Sequence, residues 1–182
     1  APVPPNGGKL QPIIGNNKSM GDDQLEIEVD KICEYQRKHD TLAFYKRMQL
    51  FCSECLLLIN REYLKCDEIE IINQIRQIWA SNNYDIEVIR KFHFTILEKT
   101  AVMTIKEMNT KRHAALGAIQ SVATPFEAWE GNECYRADML DFFIGDMYKV
   151  EVDIKVLYLK IKDYFSGILI NCNSPITTQD NA

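Results

Sequence analysis

The sequence predicts an all-α fold, an elongated up-and-down bundle of about five helices stapled by disulfides. Three observations carry that expectation. Between residues 23 and 172 the chain has one proline and four glycines, so turn punctuation is scarce and long helices are favoured over many short strands. The last third carries Leu140, Phe143, Met147, Val150, Ile154, Leu157, Ile161, Tyr164 and Ile168, spaced alternately three and four, as successive a and d positions of a heptad are. Finally, six cysteines form an even set, at Cys33, Cys52, Cys55, Cys66, Cys134 and Cys172.

The organisation reads as an N-terminal arm over residues 1–22, one helical domain over 23–172 and a polar tail over 173–182. Four of the six prolines fall in the arm, and Pro175 bars a helical extension of the tail. A first helix is expected over Asp23 to Arg37, with Leu25, Val29, Ile32 and Gln36 on one face. Leu25 to Val29 also alternates like a strand. A second helix runs from Thr41 to Leu64, with Asp40 as its N-cap and Phe44, Met48, Phe51, Cys55, Leu58 and Ile59 as its apolar stripe.

A third helix opens at Asp67, with Glu70 placed for a capping box. It buries Ile71, Ile72, Ile75, Ile78 and Trp79 before Ser81-Asn82-Asn83 breaks the run. The fourth begins near Asn83 or Asp85 and extends toward Val122 through Ile89, Phe92, Ile96 and Met103, with a break expected near Asn109-Thr110. Thr124-Pro125-Phe126-Glu127 is a helix-start signal, with Thr124 as cap, and Gly131 ends the short turn it opens. The heptad then predicts one rod from Asn132 to Ile170, roughly 58 Å long at 1.5 Å per residue. Apolar residues off the seam, Phe142, Val152, Val156, Leu159 and Phe165, predict cover on more than one side.

Composition bounds the function. The net charge of −5 and the lack of a basic stripe argue against a nucleic-acid surface. No apolar run reaches the roughly 18 to 20 residues of a membrane span. The start at Ala1 without methionine and the even cysteine set predict a processed, secreted, disulfide-bonded protein; Asn17-Lys18-Ser19 is a glycosylation sequon that fits this. The alternative is a set of buried thiols packing as small hydrophobes in an intracellular helical scaffold.

Cys52-Ser53-Glu54-Cys55 has the spacing of a redox or metal pair. A redox site requires a preceding strand, whereas this pair falls inside a helix. A zinc site needs two more ligands, for which Cys66 and one of His39, His93 or His113 are available. The favoured reading is two half-cystines one helical turn apart. On the continuous rod, Cys134 and Cys172 stand roughly 57 Å apart and cannot bond to each other. Each is therefore expected to reach outward, to the Cys33–Cys66 half of the chain.

No phosphate loop, nucleophile elbow or metalloprotease helix is present, so neither a catalytic residue nor a cofactor is assigned. His93, between Phe92 and Phe94, reads as a packed core histidine. Tyr148, Tyr158, Tyr164 and Phe165 read as core, with a ligand channel as the second reading. Trp79 and Trp129 are candidate interface anchors, and Trp129, in a short connection, is the better of the two.

The Pro-rich start, long helices, acidic charge and few cysteines resemble the format of helical cytokines. Helical salivary and other secreted host-interaction proteins of blood-feeding arthropods and parasites share that format. The opening Ala1-Pro2-Val3-Pro4-Pro5 is similar to the mature start of interleukin-6. The likeness ends there, because the cysteine spacing differs, and it brings no site residue with it. The functional expectation is a secreted binding protein acting on an extracellular partner, a receptor or a host factor. A carrier of a hydrophobic small molecule is the second expectation and the intracellular scaffold the third.

Overall fold

The computed structural model describes residues 20–171, all of whose regular elements are helical. The α-helices are α1 (Met20–Lys38), α2 (Leu42–Cys55), α3 (Cys66–Ala80), α4 (Ile86–Ala101), α5 (Lys111–Val122), α6 (Glu133–Ala137), α7 (Met139–Lys149), α8 (Ile154–Tyr164) and α9 (Ser166–Asn171). None is long and apolar enough to cross a membrane. Asn17 and Cys172 lie outside the described residues.

The all-helical class and the buried faces of the first half follow the sequence. Leu25, Val29, Ile32 and Gln36 are buried on α1; Phe44, Met48, Phe51 and Cys55 on α2; Ile71, Ile72, Ile75 and Trp79 on α3; Ile89, Phe92 and Ile96 on α4. Several boundaries differ. Thr41, not Asp40, caps α2, its Oγ1 accepting from Phe44 N at 3.2 Å. Asp40 instead receives Arg136 Nη1 at 2.6 Å. The second helix stops at Cys55, and two 3-10 turns carry the chain to α3. There Glu68, not Glu70, returns its carboxylate to the Lys65 N–H at 2.7 Å.

The fourth predicted helix divides earlier than its pattern allowed, and Met103 falls in the connection rather than on a helical face. α4 ends at Ala101, and Thr110 Oγ1 caps α5 by accepting from His113 N. The Thr124 signal yields only a 3-10 turn over Phe126–Trp129. Thr124 does not cap it; its hydroxyl donates backward to the Gln120 carbonyl.

The continuous rod from Asn132 to Ile170 is not present. The segment is α6 to α9, with breaks at Asp138, at Val150–Asp153 and at Phe165. The heptad residues Leu140, Phe143, Met147, Val150, Leu157, Ile161 and Ile168 are buried all the same. The pattern thus marks the face that meets the core, not the continuity of the backbone. The central break is a Schellman ending. Val152 N–H donates to the Met147 carbonyl at 3.2 Å and Glu151 N–H to that of Tyr148 at 3.0 Å. Glu151 has φ 59°, the left-handed conformation that glycine usually supplies, and Asp153 then caps α8. Val152 and Met147, at the two positions whose side chains meet in this motif, are both buried in the core. Without the rod, the expectation of an elongated bundle loses its basis; the longest described helix is α1, at 19 residues.

The disulfide staples are not supported either. All five described cysteines, Cys33, Cys52, Cys55, Cys66 and Cys134, are free thiols. Three of them fill the core: Cys33 on α1, Cys52 and Cys55 on α2 are each within 2% of full burial. They pack as small hydrophobes. Cys66 opens α3 and Cys134 sits on α6, both exposed. The separation argued for Cys134 and Cys172 lapses with the rod. Among the described residues no group of three or more His, Cys, Asp or Glu side chains could hold a metal ion.

The middle of the fold is α5. Ala114, Ala115, Leu116, Ala118, Ile119 and Val122 are all within 2% of full burial, and the helix packs most extensively on α7. Small residues permit that approach. A Cβ at Gly117 would lie 2.5 Å from Asp146 Oδ2 of α7. At the start of α5, Arg112 grips the fully buried Glu68 carboxylate with two bonds of 3.0 and 2.7 Å, and Lys99 of α4 adds a third at 3.2 Å. Burial pushes this carboxyl up, but Arg112, the Lys65 N–H and Lys99 together outweigh it and hold it below its ordinary range. Three helices are tied at this one anion.

Two outcomes follow. In a Cys172→Ser variant, Cys66 and Cys134 should react at once with a colorimetric thiol reagent, and the other three only on unfolding. Burial raises the Cys33 and Cys55 thiols to about 12 and Cys52 well above its ordinary value, so little thiolate forms. Rapid reaction of three or more thiols in native protein would contradict the core packing. Separately, Glu151→Gly should stabilise the fold by about 1 kcal/mol, since a left-handed side-chain residue costs that order. Glu151→Ala, which loses the same exposed Lys111 pair without relieving the backbone, should not. Urea midpoints for the two variants provide the comparison.

Candidate functional site: an aromatic-rimmed cleft

The last turn of a helix leaves four carbonyls without helical partners. In α5 all four find one. The Ile119 carbonyl accepts from Ala123 N and that of Gln120 from Thr124 Oγ1. The Ser121 carbonyl accepts from Gln49 Nε2 at 3.0 Å and that of Val122 from Trp79 Nε1 at 2.9 Å. Tyr45 Oη donates to the next free carbonyl, Thr124, at 2.8 Å. Trp79 is therefore a buried strut, not an interface anchor.

The loop beyond is held as firmly. Tyr84 Oη accepts from Phe126 N at 3.0 Å and donates to Glu127 Oε2 at 2.8 Å. Arg136, 4% exposed, donates to the Phe126 carbonyl, stacks 3.7 Å from that ring's centroid and pairs with Asp40. These contacts place Trp129 at the edge of a cleft of about 260 Å³. Its floor is Gly117, Gln120, Ser121 and Thr124; its walls are His93 of α4, Trp129, and Met139, Phe142 and Asp146 of α7. The rim is aromatic. Phe142 is 44% exposed, Tyr135 lies tilted against Trp129 with ring centroids 5.9 Å apart, and the exposed Phe94 meets His93 edge-on.

The polar groups are set by neighbours distant in sequence. Thr124 Oγ1 lies 3.3 Å from His93 Nδ1. The hydroxyl proton goes to the Gln120 carbonyl, so His93 meets both Thr124 and the backbone of Gln120 at this edge of the cleft. Burial lowers the His93 pKa, against a smaller opposing effect of the Gln120 carbonyl, and favours the neutral ring. Asp146 is the one charged residue of the lining. Burial raises its pKa; the Lys149 ammonium at 3.1 Å and the more distant His113 act the other way. Trp129 Nε1 is buried with no hydrogen-bond partner among the described residues.

Of the residues singled out from sequence, Trp129 lies in this cleft and the cysteines do not. His93 is half-buried in its wall. His39 stacks on Tyr35 and His113 stands at the opening turn of α5, so the histidines do not converge. Tyr164 and Phe165 form a seam with Phe44 and Phe51 and support Arg47, as core residues do. Asp146, Gly117 and Phe142 were not singled out as site residues. Within the cleft the Thr124 hydroxyl is buried and donates to Gln120, while Asp146 pairs with Lys149, so His93 and Asp146 serve different partners. What it offers is recognition: an apolar wall, one anion and a rigid floor.

A carboxyl whose folded pKa is raised contributes stability that is complete below its unfolded value and is lost as pH rises through the folded value. Asp146→Asn should therefore raise the unfolding midpoint at pH 7 and have little effect near pH 3. A midpoint lowered at pH 7 and unchanged near pH 3 would show that the carboxylate is a structural support instead. Neither a family model, nor a curated protein, nor a solved structure matches the chain.

Proposed function

We propose that this chain is a helical binding protein that engages a protein partner through the Trp129 cleft. The supporting observation is the aromatic wall, in which Trp129, with Tyr135 against it, and Phe142 flank a cleft held on partly buried hydrogen bonds. Aromatic residues set in rigid, partly desolvated surroundings are the usual anchors of protein interfaces. The volume favours a protein over a carried lipid: about 260 Å³ is below the range of small-molecule pockets and suits one inserted side chain.

Action outside the cell is part of this reading. It is supported by the sequon at Asn17 and the shared format with helical cytokines. A second reading, the same interaction inside the cell, is favoured by the free thiols, which need no oxidising compartment. Thiol titration of the protein from its native source, under denaturing and non-reducing conditions, separates the two. Six free thiols would exclude secretion through an oxidising compartment, and bridged cysteines would exclude the intracellular reading.

The binding test uses labelled protein on a panel of extracellular proteins displayed singly on cells. Saturable binding to a panel member should fall by about 30-fold or more in Trp129→Ala, the loss expected of an anchor worth 2 kcal/mol. Phe142→Ala, already exposed, should weaken it without altering the fold. If both variants keep their helical spectrum and bind as the parent does, the cleft is not the interface.

A further inference from the structure

We propose that the occupant of the cleft is an arginine side chain presented by the partner. The inference rests on the binding reading above and names the chemistry of its contact. Charge complementarity comes first: the lining carries one charged group, the Asp146 carboxylate, and nothing cationic. Asp146 is one-fifth exposed, reachable from the cleft yet poorly hydrated. Its present partner, Lys149, is 70% exposed and stands three residues along the same helix. Such a pair is worth little and is readily exchanged for an incoming cation.

The remaining lining suits guanidinium over ammonium. Guanidinium is flat, weakly hydrated, stacks on aromatic faces and pairs with carboxylates through a two-pronged donor edge. Trp129 and Phe142 supply the rings, and Met139 supplies apolar wall for the methylene stem. Guanidinium also has only donors, and the wall holds a matching acceptor in the Asp146 carboxylate. The chain already builds one such seat for itself. Arg136 lies 3.7 Å over the Phe126 ring and bonds to Asp40, with 4% of its surface exposed.

Gly117 explains how an anion comes to stand there. Asp146 Oδ2 occupies the space that any side chain at 117 would fill. The carboxylate thereby rests against the α5 backbone at the base of the cleft instead of swinging into solvent.

The test is a titration of isotope-labelled protein with N-acetyl-arginine amide, followed by the Trp129 indole N–H and the Gly117 amide. N-acetyl-citrulline amide, which is isosteric and uncharged, is the control. Saturable shifts should appear with arginine and be at least about tenfold weaker with citrulline, the scale of a lost charge-assisted hydrogen bond. Asp146→Asn should lose the preference between the two probes. Lys149→Ala, which removes the competing ammonium, should tighten arginine. Equal binding of both probes, an unchanged preference in Asp146→Asn, or no shift at all would overturn the arginine assignment. None of these outcomes touches the binding reading, which fails only if Trp129→Ala and Phe142→Ala leave partner binding intact.

Discussion

The carbonyl end of α5 is the constraint on which the rest of this fold depends. A helix that ends inside a core must have its last carbonyls satisfied by something other than water, because each one left bare costs on the order of 1–3 kcal/mol. Gln49, Trp79 and Thr124 supply the side-chain donors, from α2, α3 and the loop that follows. None of the three can move without uncovering an acceptor. Their helices are therefore fixed about α5 by directional bonds as well as by apolar burial, which alone would tolerate sliding. Gln49 shows the economy of the arrangement: its amide nitrogen donates both to the Ser121 carbonyl and to Tyr45 Oη, whose own proton goes to Thr124.

The opposite end of α5 is fixed by charge. Glu68 is fully buried, and its oxygens are shared among Arg112, Lys99 and the Lys65 N–H. A buried ion pair is weak evidence for stability in itself, but removing one partner would strand the other. Its effect is on position: it fixes the register of α5 against α3 and α4. With both ends held, the middle of α5 forms a rigid floor, and the cleft beside Gly117 forms without a movable segment. A partner that meets such a surface pays little ordering entropy on binding.

Local patterns carried the burial faces well. The spacings on α1 to α4 and the seam of the last third correctly identify residues that reach the core, because burial depends on which side of a turn a residue occupies. Continuity was not legible in the same signal. Glu151 adopts a left-handed backbone that sequence reading assigns to glycine, while Gly145 lies inside α7 without breaking it. The Asp153 cap, two residues after Glu151, was the available clue. The cysteines misled because an even count suits a bridged set and a set of core thiols equally. Trp129 was singled out because it stands in a short connection, outside any helical stripe, and it lines the candidate cleft. His93 was read as core because Phe92 beside it is core. Asp146 has the look of a solvated carboxylate, and only the absent Cβ at residue 117, far away in sequence, brings it against a helix.

Among the places in the described chain that break a local rule are the left-handed Glu151, the partly buried anion of Asp146, the indole N–H of Trp129 without an acceptor, and the fully buried amide of Gln36 on α1, which has no hydrogen-bond partner among the described residues. Asp146 and Trp129 lie in the wall of one cleft and Glu151 ends the helix that carries Asp146, whereas Gln36 is not part of that lining. Natural sequences are mostly consistent between local preference and fold, and departures gather where a site demands them. A neutral residue at 146 would pack against α5 at less cost, and an aliphatic one at 129 would leave no donor unmet. The chain carries both burdens on the same side of α5, over the firmest part of its framework. The Asp146 carboxylate, ion-paired with the exposed Lys149, and the aromatic face beside it suit one group from outside that is flat, apolar along its stem and positively charged at its end; the indole N–H is left for an acceptor on the same partner.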